Sequence, residues 1–157
     1  MSMTSRQAWA LAGFVGVCFL AAFVGALATV NSVGEWYPTL AKPSWNPPSW
    51  LFGPVWTLLY LMMGIAAWLV WRRGDASGAM VIFGIQLVLN VAWSLLFFGW
   101  RNPLAGLVDI VLLWIAIAIT LMWFWRIDRV AGWLLVPYLA WVSFATMLNF
   151  TIWRLNR

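Results

Sequence analysis

The side chains in this sequence that could do chemistry are few and of one kind. There is no histidine and only one cysteine, Cys18, in 157 residues. No zinc or iron–sulfur site can be assembled from the usual donors, and no imidazole is present to shuttle protons. Paired carboxylates, Ser-His-Asp sets and phosphate-binding glycine loops are also missing. The chain instead carries fifteen tryptophans and a few uncharged polar groups inside apolar runs. Gln86, Asn90, Trp93 and Phe97 fall at i, i+4, i+7 and i+11, which is one helix face. Phe52, Trp56 and Tyr60 share a second face, and Tyr138, Trp141, Ala145, Asn149 and Ile152 a third. Indole and phenyl faces can stack a flat aromatic or sterol-like molecule while amide and indole groups fix its orientation. The competing use of the same polar groups is helix–helix hydrogen bonding within a membrane, worth about 0.6–2 kcal/mol each.

Those faces need helices to carry them, and the composition specifies what kind. The chain is 65% hydrophobic and 8% charged, against about 25% charged in a soluble domain. It reads as an all-α integral membrane protein, a bundle of five transmembrane helices forming one domain, residues 1–157. Apolar runs long enough to span a bilayer place the helices at about 7–30, 50–71, 79–98, 104–125 and 130–153. The apolar run after Met1–Arg6 is longer than a signal-peptide core and lacks a convincing cleavage site, so it reads as a retained first helix. Ala8, Ala12 and Gly16, and likewise Ala21 and Gly25, are spaced by four; they offer either close helix approach or only an alanine-rich composition. Asn31–Gly34 is expected to end the first helix, and Pro137 to kink the fifth. Arg72, Arg73, Gly74, Asp75 and Ser77 form a polar turn.

A long structured loop, residues 31–49, separates helices one and two. Pro38, Pro43, Pro47 and Pro48 exclude helix there, and Trp36, Tyr37 and Trp45, with Trp50 just beyond, make it too aromatic for a solvated linker. It is expected to fold down as a lid over the polar-aromatic faces of helices two, three and five. Tryptophans near span ends (Trp9, Trp36, Trp71, Trp100, Trp125, Trp153) fit interfacial belts, whereas Trp56, Trp93, Trp114 and Trp141 lie deeper and need partners or a polar cavity. Asp109 is the one acid inside a span; it either has a function or reaches the interface or a nearby arginine. Cys18 reads as a buried, inert thiol. The net charge of +5 is spread over turns and ends with no basic run, which speaks against nucleic-acid binding. Loop arginines weakly place the N-terminal side in the cytoplasm and the lid outside.

Four stretches resemble the TspO/MBR family of tryptophan-rich sensory and translocator proteins, which includes the peripheral benzodiazepine receptor. They are W-Y-x-x-L-x-K-P-x-W-x-P-P at Trp36–Pro48, F-G-P-V-W-T-L-L-Y at Phe52–Tyr60, Q-x-x-x-N-x-x-W-x-x-x-F-F at Gln86–Phe98 and P-Y-L-A-W-x-x-F-A-T-x-L-N at Pro137–Asn149. The resemblance covers nearly the whole chain. It implies a five-helix bundle, often a homodimer, in the bilayer of a bacterial cell envelope, with a pocket beneath the first long loop. Implied ligands are protoporphyrin IX and haem, with sterols and isoquinoline or benzodiazepine drugs for some members; no cofactor is required. By motif, the ligand-binding residues would be Trp45, Trp50, Phe52, Trp56, Tyr60, Asn90, Trp93, Phe97, Trp141, Ala145 and Leu148. Some bacterial relatives break down protoporphyrin in light and oxygen, and there Trp56 and Trp141 would be the catalytic positions.

Two features depart from the family pattern. Phe150 stands where the sterol-recognition pattern wants tyrosine, and Val81, Ile85 and Leu89 fill a register in which relatives use small residues to dimerise. With no histidine, a metal-free porphyrin is easier to hold than haem. Its propionates would need a cation, for which Lys42 is the first candidate; the alternative is that Lys42 snorkels to headgroups. The expected function is binding of tetrapyrroles for transport or sensing. The alternatives are a porphyrin-degrading enzyme and a structural or drug-efflux protein with an incidental cavity.

Overall fold

The computed structural model describes residues 4–74 and 76–157; Asp75, assigned to the polar turn, lies outside them. Five long helices make up the fold: α1 Ser5–Glu35, α2 Phe52–Trp71, α3 Ser77–Ser94, α4 Pro103–Ile127 and α5 Arg129–Leu155. All five are long and apolar enough to cross a membrane, and the protein is an integral multi-pass membrane protein. α1 packs on α2 and α3, α2 on α5, α5 on α4, and α4 on α3, which closes a ring. The α1–α2 contact is tight because Gly64 removes a side chain there: a Cβ would lie 2.7 Å from the Val15 Cα.

Sequence signals set most helix ends. Thr4 and Gln7 form a capping box at the start of α1. Asn102 accepts from the N–H groups of Leu104 and Ala105, both at 3.1 Å, with Pro103 at the first helical position. Asp128, the single residue between α4 and α5, caps α5 through Val130 and Ala131 at 2.9 and 3.2 Å.

One boundary differs from the sequence reading. α1 does not stop at Val30 but continues through Asn31–Gly34 to Glu35. A tertiary contact outweighs the weak local stop: the buried Ser32 hydroxyl donates to the Phe98 carbonyl at 2.6 Å. The connection is therefore shorter, running from Trp36 through short 3-10 turns at Tyr37–Thr39 and Ser49–Leu51. α3 leads into a π-helical stretch at Leu95–Gly99, and Arg101 then takes a left-handed φ of 53° to turn the chain into α4. α5 is continuous through Pro137. Of the small-residue stripes, Ala21 and Gly25 are buried, with Gly25 against Ser94, whereas Ala12 and Gly16 are exposed on the outer face.

Candidate functional site

Polar side chains from three helices meet at the centre of the bundle. The Tyr60 hydroxyl donates to Asn90 Oδ1, the Asn90 side-chain amide donates to the Tyr138 hydroxyl at 2.7 Å, and Tyr138 donates to Gln86 Oε1 at 2.8 Å. This relay ties α2, α3 and α5 together. A second link joins α3, α4 and α5: the Trp93 indole N–H donates to Asn149 Oδ1 at 3.0 Å, and the Asn149 amide donates to the Pro103 carbonyl at 2.8 Å. Gln86 and Asn149 are thus used as helix–helix bonds, the second use weighed for them on sequence. Trp114 likewise finds Ser143 at 2.7 Å. Polar groups this deep must be satisfied internally, and these are.

Beside the relay lies a cavity of about 550 Å³ bounded by α1, α2, α3 and the lid. Five of the expected residues line it: Phe52, Trp56, Tyr60, Asn90 and Trp93. Tyr60 and Asn90 therefore serve both the relay and the cavity wall. Trp56 lies 5.7 Å from the Tyr60 ring and Trp93 stacks on Phe97 at 5.4 Å, so the aromatic faces on the wall are held by their neighbours. The rest of the lining is mostly apolar, with hydroxyls from Thr29, Tyr37, Ser49, Thr57 and Ser94, and the volume is within the size range of small-molecule sites.

The other expected residues lie elsewhere. Phe97 and Leu148 are buried in a separate apolar cluster with Tyr37 and Ile152, and Ala145 packs on the main core. Trp50 is 72% exposed. Trp45 meets Phe144 at 5.8 Å, and Trp141 packs against Phe52 at 6.0 Å and Phe144 at 5.5 Å. Trp141 therefore stands behind the Phe52 wall, and its buried indole N–H has no acceptor among the described residues. The cavity wall expected from helix five is supplied instead by α1, through Phe19, Ala22, Phe23, Ala26 and Thr29. The signal for it in the sequence was Phe19 and Phe23 one turn apart beside small residues. Phe19, Ala22, Phe23 and Ala26 carry no polar side chain and resemble any lipid-facing stretch.

The lid is fastened by polar contacts of its own. The Lys42 ammonium donates to the carbonyls of Tyr37 and Leu40, both at 2.8 Å, and of Pro38 at 3.3 Å, and lies 5.0 Å over the Tyr37 ring. Its three protons have these three carbonyls as acceptors, so in this conformation it clasps the loop. The buried Tyr37 hydroxyl donates to Asn46 Oδ1 at 2.7 Å, and burial pushes its pKa up to about 12. It therefore remains a neutral donor. Asn156 pairs reciprocally with the lid backbone, accepting from the Ala41 N–H at 3.0 Å and donating to the Ala41 carbonyl at 2.9 Å.

Asp109 pairs with no arginine among the described residues. It is 6% exposed, and its Oδ2 is buried without a partner among the described residues. The ion pairs among those residues are Arg73–Asp128 at 2.7 Å and Arg101–Glu35 at 3.4 Å. Cys18 is buried, as expected.

Comparison with known proteins bears on what this arrangement serves. The TspO/MBR family profile matches residues 14–154. The chain is 51% identical to "Tryptophan-rich protein TspO" of Chlorobaculum tepidum, covering 97% of this chain and 99% of that one. It is 42% identical to human "Translocator protein" (92% and 88% covered) and 39% identical to "Protein CrtK" of Rhodobacter capsulatus (86% and 87%).

Proposed function

The chain belongs to the TspO/MBR family, and on that premise we propose that it is a membrane-embedded binding protein for tetrapyrroles. Protoporphyrin IX is the preferred ligand, ahead of haem and other flat hydrophobic molecules, and the protein acts in their transport or sensing. The cavity carries this reading: a space of about 550 Å³ with Trp56 and Trp93 on its wall and the Tyr60–Asn90 pair at its polar edge. Aromatic faces supply stacking area, and the hydroxyl–amide pair supplies direction. With no histidine in the chain, a metal-free ring suits the site better than an iron porphyrin. The lid roofs the cavity through Tyr37 and Ser49.

Titration of the purified protein with protoporphyrin IX in the dark should quench intrinsic tryptophan fluorescence saturably, and Asn90→Leu should weaken that binding. Unchanged emission at micromolar ligand in folded protein would overturn the proposal.

A second reading, light-driven porphyrin breakdown, draws on the placement of Trp56. Its indole lines the cavity with Tyr60 at 5.7 Å and Tyr138 at 6.3 Å behind it, which is a short path for an electron taken by an excited ring. Trp141 lies one layer back, behind Phe52. Under illumination in air the porphyrin should bleach faster in the native protein than in Trp56→Phe. Equal rates would leave binding as the function.

A further inference from the structure

Toward the other side of the membrane, α1 and α3 part a second time. A groove of about 620 Å³ runs from Ala10 to Val17 on α1 and from Met80 to Leu87 on α3, and reaches Trp71 at the end of α2. It shares no lining residue with the cavity beneath the lid. Its lining is wholly apolar, and a Cβ added at Gly13 or Gly84 would meet nothing within 4 Å.

Two arginines are held at the same end of the bundle. The Arg6 guanidinium lies 5.9 Å over Trp71, which is itself a groove residue, and the Arg72 guanidinium lies 4.9 Å over Trp68. The Trp68 indole N–H donates to the Gln7 carbonyl at 3.0 Å, which ties the start of α1, next to Arg6, to the end of α2, next to Arg72. Stacking uses the flat face of a guanidinium and leaves its N–H edge free for an oxyanion. Neighbouring Arg73 is occupied by Asp128.

The dimensions match one leaflet. Ala10 to Val17 spans about 10 Å of helix at 1.5 Å per residue, within the roughly 15 Å that is half of a bilayer's apolar core. Arg6 stands one turn further out, where headgroup phosphates lie. We propose that this groove is a binding site for an anionic phospholipid, with one acyl chain between α1 and α3 and the phosphate on Arg6 and Arg72. A second copy of the chain suits the groove less well. The α3 surface beside it presents Val81, Ile85 and Val88, bulky and exposed, where close helix approach in lipid favours small residues. The site does not depend on what the lid-side cavity binds.

The test is native mass spectrometry of the purified protein in detergent, with dioleoyl phosphatidylglycerol or dioleoyl phosphatidylcholine added at equal ratio. The chain should retain one phosphatidylglycerol with a preference on the order of tenfold or more, the scale two arginines provide at an anionic surface, and added salt should weaken it. The double variant Arg6→Gln, Arg72→Gln should lose the preference but keep its helical content. Gly84→Leu, which fills open space, should release the lipid. Equal retention of the two lipids by native protein overturns the proposal, as does a preference that survives in the double variant. If Gly84→Leu converts a dimer to a monomer without changing lipid retention, the groove belongs to a second copy. Porphyrin titration of the same variants should be unchanged, which keeps this result separate from the function proposed above.

Discussion

The α4–α5 seam and the α1–α3 seam each join two spanning helices, yet the first is crossed by side-chain hydrogen bonds and the second borders both openings described above. Asp128 alone connects α4 to α5, capping one helix and holding Arg73 with two bonds at 2.7 and 2.9 Å. Further along, Trp114 bonds Ser143, and Asn149 bonds the Pro103 carbonyl. The α1–α3 seam has the Ser32–Phe98 bond near one end, and both the cavity and the groove lie along it. Hydrogen bonds and small residues lock one side of the ring, which leaves the other side free to host molecules. If the proposed function holds, stability and binding fall to different helix pairs, and substitutions should separate them.

The largest effect is expected where the closed seam is tightest. A Cβ at Gly132 would lie 2.9 Å from the Trp125 Cα, a backbone atom that cannot step aside. Gly132→Val should cost about 3 kcal/mol, the upper range for overpacking, read as a lowered thermal midpoint in detergent. An unchanged midpoint would mean that this seam is looser than described.

Asp128 comes next. Burial alone would raise its pKa, but the Arg73 hydrogen bond, the Ala131 and Val130 N–H groups and the Arg73 charge outweigh burial and hold it below the usual carboxylate value. A folded-state value below the unfolded one means the carboxylate stabilises above about pH 4, and that contribution is lost as pH falls through the folded value. Asp128→Asn should cost about 1 kcal/mol at neutral pH, since Arg73 is half exposed and its pairing is screened. The variant should also lack the native protein's loss of stability between pH 4 and stronger acid. Parallel pH profiles would remove Asp128 from the account.

The smallest effect on stability belongs to the open seam. Ala26→Leu projects into the cavity from α1 and should change stability by no more than about 0.5 kcal/mol, while abolishing porphyrin quenching. A stable variant that still binds would shift the site away from α1.

The five helices were legible in the sequence because a bilayer demands long, charge-poor runs and punishes unpaired backbone. The polar stripes were legible for the same reason, since Gln86, Asn90 and Asn149 have few ways to be satisfied at that depth. The far wall of the cavity was not legible. Phe19, Phe23 and Ala26 look the same in sequence whether they face lipid or a cavity, and only the departure of α3 from α1 distinguishes the two. The end of α1 was hidden as well, because Asn31–Gly34 is a plausible stop until Ser32 finds the Phe98 carbonyl, which local sequence does not encode. Lys42 was expected either to meet an external anion or to snorkel to headgroups, and local sequence did not reveal that the loop itself presents three carbonyls to it.

The pairing of Asn156 with Ala41 joins residues 115 apart in the chain. During synthesis the lid leaves the ribosome early, when α1 is its only helical neighbour, and this clasp cannot form until residue 156 has followed it out. Through that long interval the loop lacks its tie to the C-terminal end of α5. The fastening of the lid would therefore report that α5 has been inserted and folded to its final turn, and a site roofed by this loop would acquire its settled roof only in a completed bundle.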